Sequence, residues 1–396
     1  MRHFLKYSAI AFTLISSAAL AADPVAPVAT IPMVAAQPGG FDTLAQFAII
    51  KDMTTGEVLY DKNAAQQMVP SSMTKLMTLY IAFERIKEGK LKLTDTLPVS
   101  ERAWRIQGSK MFVELGNNIK VDDLLHGIII QSGNDACVVI AEGIAGSEQA
   151  FAVLMNETAK RLGMNDSHFL NSNGWPEPGH VMSARDLATL AEHLVRDFPE
   201  DYALFSKTSF TYHGITQGNR NLLLYKNIGV DGLKTGHTEE AGYGMTTSAK
   251  RGNRRLIVVV NGLKSDKERA EESAKLLEYG FSAFENYKLF SKEEVMGEAE
   301  VWYGDKASIP LVAKDEVIAT LPRAIAEQHL KEASAVIRYQ GPLKAPIQAG
   351  DKVAELELKL PNQQPRILPL YAGESVEPLS FTGRILHSAK LLVGGK

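Results

Sequence analysis

Val69-Pro70-Ser71-Ser72-Met73-Thr74-Lys75 is the stretch on which the reading of this chain turns. Pro70 stops whatever precedes it. Ser71 or Ser72 can then cap a helix, because a serine oxygen accepts from the free N–H groups of a first turn. The apolar residues that follow, Met73, Leu76, Met77, Leu79, Tyr80, Ile81 and Phe83, lie nearly all round that helix. The pattern predicts a buried central helix ending near Gly89. Ser72 and Lys75 share one face of its first turn. A lysine at the mouth of a buried helix loses hydration, which lowers its pKa and lets it act as a base. A serine beside such a base is an activated nucleophile, and the helix N-terminus favours negative charge developing there.

Ser-x-x-Lys alone carries little weight, since ordinary usage of both residues gives about one in a chain of 396 residues. An N-cap serine followed by a solvated lysine is the plain alternative. No other serine here is followed by lysine at that spacing. Two companions lie downstream, Ser132-Gly133-Asn134 and Lys234-Thr235-Gly236. Singly, one is an ordinary turn and the other an ordinary strand end. In this order, on these local structures, the three form one constellation.

With 45% hydrophobic and 22% charged residues, the chain can bury large cores, and its length predicts two or three domains. A net charge of −3 gives no sign of a general nucleic-acid binder. The single cysteine, Cys137, excludes an internal disulfide. It sits in an apolar run and reads as a small buried hydrophobe.

Residues 1–21 read as an export signal: Arg2 and Lys6 give a basic start, Tyr7 to Leu20 a short apolar core, and Ala19-Leu20-Ala21 a cleavage site. Residues 22–40, rich in proline and ending in Gly39-Gly40, read as a linker. Phe47–Ile50 and Val58–Tyr60 predict a hairpin. Val121 to Gly146 predicts two helices broken at Gln131–Asp135. Asn171 to Gly179 reads as a structured loop, and Ser183 to Val195 as an amphipathic helix. Val230 to Leu263 predicts three strands, followed by a helix from Asp266 to about Tyr287. Strands first, helices in the middle and strands last give an α+β domain over 41–288, its terminal strands joining one antiparallel sheet beside a helical cluster. Short alternating runs then predict a small all-β domain over 289–376. In the tail, 377–396, Phe381, Ile385, Leu386, Ala389, Leu392 and Val393 share a helical face, which fits a helix lying on an anionic membrane or packed on its own β domain.

Ser-x-x-Lys, Ser-Asp-Asn and Lys-Thr-Gly together mark class A β-lactamases and penicillin-binding proteins. With Val230–His237 and Ser183-Ala184-Arg185-Asp186, this sequence resembles a low-molecular-mass penicillin-binding protein of the serine D-alanyl-D-alanine carboxypeptidase type. The likeness covers nearly the whole chain. Gly133 replaces the middle aspartate and leaves both flanking side chains in place.

The resemblance implies a penicillin-binding, serine β-lactamase-like fold, and a reaction that removes the terminal D-alanine from peptidoglycan stem pentapeptides. It implies Ser72 as nucleophile, Lys75 as its base and Ser132 as proton relay. Asn134 and Lys234 would position the reacting groups, and Thr235 and Gly236 would hold the substrate backbone along the strand edge. The backbone N–H groups of Ser72 and His237 would form an oxyanion hole. Arg269 would bind the substrate carboxylate. It further implies inhibition by β-lactams, no metal and no cofactor, and a periplasmic protein held at the inner-membrane surface by its tail. Rival readings are a β-lactamase or a DD-endopeptidase of the same fold, or a non-catalytic cell-wall-binding protein. A Glu-x-x-Leu-Asn run of the kind that fast β-lactamases carry is missing between the second and third motifs: Glu157, Glu177 and Glu192 lack it.

Overall fold

The structure is a computed structural model that describes residues 11–16, 40–361 and 363–385. It divides into two compact units, residues 37–283 and residues 284–396 with 1–36.

The first unit is built on a five-stranded antiparallel sheet. Its order is Val230–Thr238, Gly242–Arg251, Arg254–Leu263, Phe47–Asp52 and Val58–Lys62. The hairpin and the three late strands thus join in one sheet, as strands at both ends of an α+β domain predict. The central strand reads Leu256-Ile257-Val258-Val259-Val260, all buried. Such an unbroken apolar run is required where both faces are covered. Ile257 and Val259 belong to the core of the helical cluster. On the other face, the helix Asp266–Ala283 brings Gly280 against Leu256 and Ile50, so closely that a Cβ there would lie 2.7 Å from the Leu256 side chain.

The helix at the centre of the cluster is Lys75–Lys87. Leu76, Met77, Leu79, Ile81 and Phe83 are fully buried, which at roughly 1.5–3 kcal/mol for each large apolar side chain makes this helix a main contributor to the core. It begins later than the sequence suggests. Ser71–Thr74 forms a 3-10 turn, and neither this turn nor the helix has a side-chain cap. The helix gives out at Glu88, and Gly89 follows at φ +70°.

Val121–Ile130 and Asn134–Ala145 are the two predicted helices, but the break is shorter than expected: Asn134 and Asp135 already belong to the second. Ser183 caps Ala184–Asp197 by accepting from the Asp186 N–H at 3.1 Å. Cys137 is fully buried, and burial pushes its thiol up to about 12, so it behaves as the small hydrophobe read from its surroundings.

The helix Asp266–Ala283 stops short of Tyr287. The helical spacing of Leu276, Leu277, Phe281 and Phe284 runs on by coincidence, because Phe284 is buried as the first residue of a strand. That strand, Phe284–Phe290, pairs with Val317–Pro322 in the second unit. The main sheet of this unit is ordered Ala11–Ser16, Ser334–Tyr339, Lys352–Lys359, Arg366–Ala372, Ser308–Val312, Val295–Trp302 and Leu343–Lys344. Beyond the runs read from the sequence, the strands Ser308–Val312, Leu343–Lys344 and Arg366–Ala372 and one short helix, Ala326–Glu332, complete the unit.

Ala11–Ser16, inside the segment read as an export signal, runs parallel to Ser334–Tyr339. The cleavage site and nearly all of the linker lie outside the described residues. So does the tail beyond residue 385, of which 381–385 are helical.

Candidate active site

Ser72 lies in the 3-10 turn that follows Pro70. This turn is shaped by its surroundings rather than by local capping. Ser71 takes φ +50°, a left-handed conformation costly for a residue with a Cβ, and donates its hydroxyl to Thr238 Oγ1 at 3.2 Å. Thr74 Oγ1 lies 2.9 Å from His180 Nε2, while His180 Nδ1 accepts the Leu170 N–H at 3.2 Å. Nδ1 therefore carries no proton, and burial holds the ring neutral by lowering its pKa to about 4. The serine hydroxyls serve no cap, which corrects the role first read for them. Ser72 Oγ instead receives Lys75 Nζ at 3.0 Å.

Lys75 is fully buried, and the amine faces three oxygens: Ser72 Oγ at 3.0 Å, Asn134 Oδ1 at 2.8 Å and the Asn173 carbonyl at 2.6 Å. The Asn134 amide is oriented by its Nδ2, which donates to the Gln107 carbonyl at 2.8 Å. Burial lowers the Lys75 pKa from 10.5 to about 8. A neutral amine has two N–H donors and one lone pair. Asn134 Oδ1 and the Asn173 carbonyl accept only, so they take the two donors. The lone pair is left for Ser72, the one partner of the three that can donate.

The second motif is the loop between the helices Val121–Ile130 and Asn134–Ala145. Ser132 takes φ +57° there, and Lys234 Nζ donates to its Oγ at 3.0 Å. Lys234 is also buried, and its pKa falls well below 10.5, through burial first and then the nearby charge of Lys75. Asp135 anchors the loop: its carboxylate accepts the N–H groups of Met111 at 3.0 Å, Phe112 at 2.9 Å and Val113 at 3.1 Å.

Lys234, Thr235, Gly236 and His237 lie on the edge strand Val230–Thr238. Gly236 sits against the nucleophile turn, where a Cβ would lie 3.0 Å from the Pro70 carbonyl and 3.2 Å from Ser71 Cβ. The exposed His237 ring rests 3.9 Å from that of Tyr243. Arg269 is 5% exposed, pairs with Asp266, donates to the Gly236 carbonyl at 3.3 Å and packs on the Tyr243 ring. Ser72, Ser132, Thr235, His237 and Arg269 line a common cleft of about 500 Å³. All nine residues singled out from sequence therefore cluster around Ser72 or along the adjoining strand edge.

Several supporting residues were not identified from sequence. Asn173 supplies a carbonyl, which every residue has, so its identity gave no signal. Its loop is tied down by Glu148, which accepts from Ser172 N at 3.1 Å, Ser172 Oγ at 2.7 Å and Asn173 Nδ2 at 3.3 Å. Arg220 and Ser109 also line the cleft, joined by a 2.8 Å hydrogen bond. A buried glutamate after an N-cap serine, as in Ser147-Glu148, was the one usable hint among these.

Residues 32–265 match the family described as D-alanyl-D-alanine carboxypeptidase, and residues 284–378 match the C-terminal domain of penicillin-binding protein 5. The chain is 40% identical over 345 residues to D-alanyl-D-alanine carboxypeptidase DacC of Escherichia coli (strain K12), covering 85% of each chain. Among solved structures it is similar to penicillin binding protein 5 from Haemophilus influenzae, with a TM-score of 0.77 and 36% identity over 86% of this chain and 99% of that one. It is also similar to Penicillin-Binding Protein D2 from Listeria monocytogenes in its ampicillin-bound form. There the TM-score is 0.57, with 31% identity over 62% of this chain and 100% of that one.

Proposed function

This chain belongs to the D-alanyl-D-alanine carboxypeptidase family and is a serine-type carboxypeptidase of peptidoglycan; on that premise we propose how its residues divide the reaction. Ser72 Oγ attacks the carbonyl carbon between the two terminal D-alanines of a stem pentapeptide, and its proton passes to Lys75 Nζ. The C–N bond then breaks, and Ser132, held by Lys234, relays the proton taken up by Lys75 to the departing amine, which leaves Lys75 neutral again. The product is free D-alanine and an ester on Ser72, which water cleaves to restore the hydroxyl. General-base help at the first step is worth roughly 10²–10⁴-fold.

The backbone N–H groups of Ser72 and His237 hold the developing oxyanion, so the His237 side chain needs no proton role. Asn134 orients both Lys75 and the substrate amide. Thr235 and Gly236 take the substrate backbone as an added strand. Arg269 receives the terminal carboxylate. The lone pair of Lys75, directed at Ser72 by two obligate acceptors, is the observation that carries this reading.

A β-lactam presents the same kind of acyl group and acylates the same hydroxyl, a reading supported by the ampicillin-bound relative. Among the described residues the hydrogen-bond partners of Lys75 Nζ are Ser72, Asn134 and Asn173, with no glutamate, which favours a peptidase that penicillin inhibits over a fast β-lactamase. Purified protein incubated with a pentapeptide releases D-alanine. Ser72→Ala abolishes both this release and covalent labelling by a fluorescent penicillin; labelling that persists rejects Ser72 as nucleophile.

The protein is exported through residues 1–21 and held on the outer face of the inner membrane by its tail. One observation supports the second part: Phe381 and Ile385 are 79% and 56% exposed where the tail begins. Deleting 380–396 releases the protein from membranes, and continued membrane association sinks the anchor.

A further inference from the structure

A second groove, of about 680 Å³, flanks the catalytic cleft and shares no lining residue with it. Lys75 links their walls, bonded to Ser72 of the one and to Asn173 of the other. On one side lie Ser72, Ser132 and Arg269. On the other, the loop Asn171–Glu177 brings its Asn173 carbonyl to Lys75 and then runs out along the second groove as Trp175 and Glu177. Arg269 draws the carboxylate of the departing D-alanine to the first side. The acyl half of the peptide leaves Ser72 away from Arg269, and the second groove, tied to Lys75 through Asn173, has no Arg269 in its lining.

The groove is built rather than incidental. Asn171 Oδ1 accepts the N–H groups of Gly174 at 2.8 Å and Trp175 at 3.1 Å, and Asn173 Oδ1 accepts from Trp175 N at 2.9 Å. Asn171 Nδ2 donates to Glu177 Oε2 at 3.3 Å, and His180 N to the Glu177 carbonyl at 2.9 Å. Trp175 is nevertheless 48% exposed, a large aromatic face left open on a fixed loop.

The charges in the groove do not balance. Arg105 pairs with Glu101, and Arg102 with the buried Glu148. Glu177 has no cation within ion-pair distance among the described residues. A carboxylate without a cation beside an open indole face is an environment for an ammonium, which gains from both.

We propose that Trp175 and Glu177 form a subsite for a side-chain ammonium on the stem-peptide residue that precedes D-alanyl-D-alanine. This rests on the carboxypeptidase reading above and extends it to substrate choice. The ligand class is a peptide whose side-chain amine is free. Acylation of that amine, as happens when a stem is cross-linked through it, removes the charge and the preference. The groove thereby selects stems whose amine has not been used.

Two tripeptides test this, both acetylated at the α-amine: lysyl-D-alanyl-D-alanine with a free ε-amine, and the same peptide with the ε-amine acetylated. Wild-type protein is expected to favour the free amine by about fivefold to tenfold in kcat/KM. Glu177→Gln brings the ratio near one and Glu177→Lys takes it below one. Because each ratio is measured within a single protein, partial loss of fold cancels. A wild-type ratio near one, or a preference that survives in Glu177→Gln, overturns the subsite while leaving the carboxypeptidase reading intact. Absence of D-alanine release from both peptides by the wild type overturns the reading beneath it.

Discussion

Lys75 Nζ lies 3.0 Å from Ser72 Oγ although the two residues belong to different kinds of helix, Ser72 to a 3-10 turn and Lys75 to the first position of an α-helix. The change of helix type places the base and the nucleophile together at the start of a largely buried helix.

Acylation requires Lys75 to be neutral. Burial lowers its pKa from 10.5 to about 8, so below that value the amine is protonated and cannot take the Ser72 proton. The expected profile of kcat/KM climbs about tenfold per pH unit on the acid side and levels above about 8. A flat profile between pH 6 and 9 would count against Lys75 as base. Stability follows the same sign. The unfolded chain binds the extra proton between about 8 and 10.5, so this group adds stability as pH rises through that window. Lys75→Arg keeps a charge that cannot be shed and is expected to be inactive across the range.

Lys234 is the amine that holds the Ser132 hydroxyl, at 3.0 Å. Lys234→Ala leaves Ser132 without that donor. Acylation by penicillin, followed by stopped-flow fluorescence, is expected to slow by roughly 10²–10³-fold, the scale of losing one preorganised donor. An unchanged rate removes Lys234 from the mechanism.

Arg269 acts on the substrate through a terminal carboxylate. Arg269→Ala is expected to lower kcat/KM for a peptide with a free carboxylate by roughly tenfold to a hundredfold, since hydrogen bonds to charged groups contribute about 1.5–3 kcal/mol. For the C-terminally amidated peptide, the wild type and the variant should differ little. Equal losses on the two peptides would mean that Arg269 only supports the strand through the Gly236 carbonyl.

Gly174 makes the loop's closest approach to the nucleophile turn. A Cβ there would fall 1.8 Å from the Ser71 carbonyl oxygen, at φ +82°. Gly174→Ala is expected to destabilise the protein by roughly 2 kcal/mol or more and to slow acylation, because the loop that carries the Asn173 carbonyl must move. Gly146 has a similar φ of +79° and open space around it. Gly146→Ala therefore isolates the cost of the backbone conformation alone, about 1 kcal/mol. Thermal melts that shift equally in the two variants would show that the contact with Ser71 contributes nothing.

The sequence alone determined the elements and the chemistry. Apolar spacing marked the central helix, and strand-like runs at both ends of the domain marked its sheet. Three short motifs named Ser72, Lys75, Ser132, Asn134 and Lys234, because side-chain chemistry is written in residue identity. Only the tertiary structure decided how those groups are used. The left-handed Ser71 and the turn that carries Ser72 are shaped by contacts with Thr238, Gly174 and Gly236, far away along the chain. One of the two acceptors on Lys75 is a backbone carbonyl, and the open Trp175 and Glu177 owe their place to a loop fixed by Asn171 and Asn173. Local sequence cannot encode these, since a carbonyl is common to every residue and a long-range contact depends on where two distant segments are brought to pack.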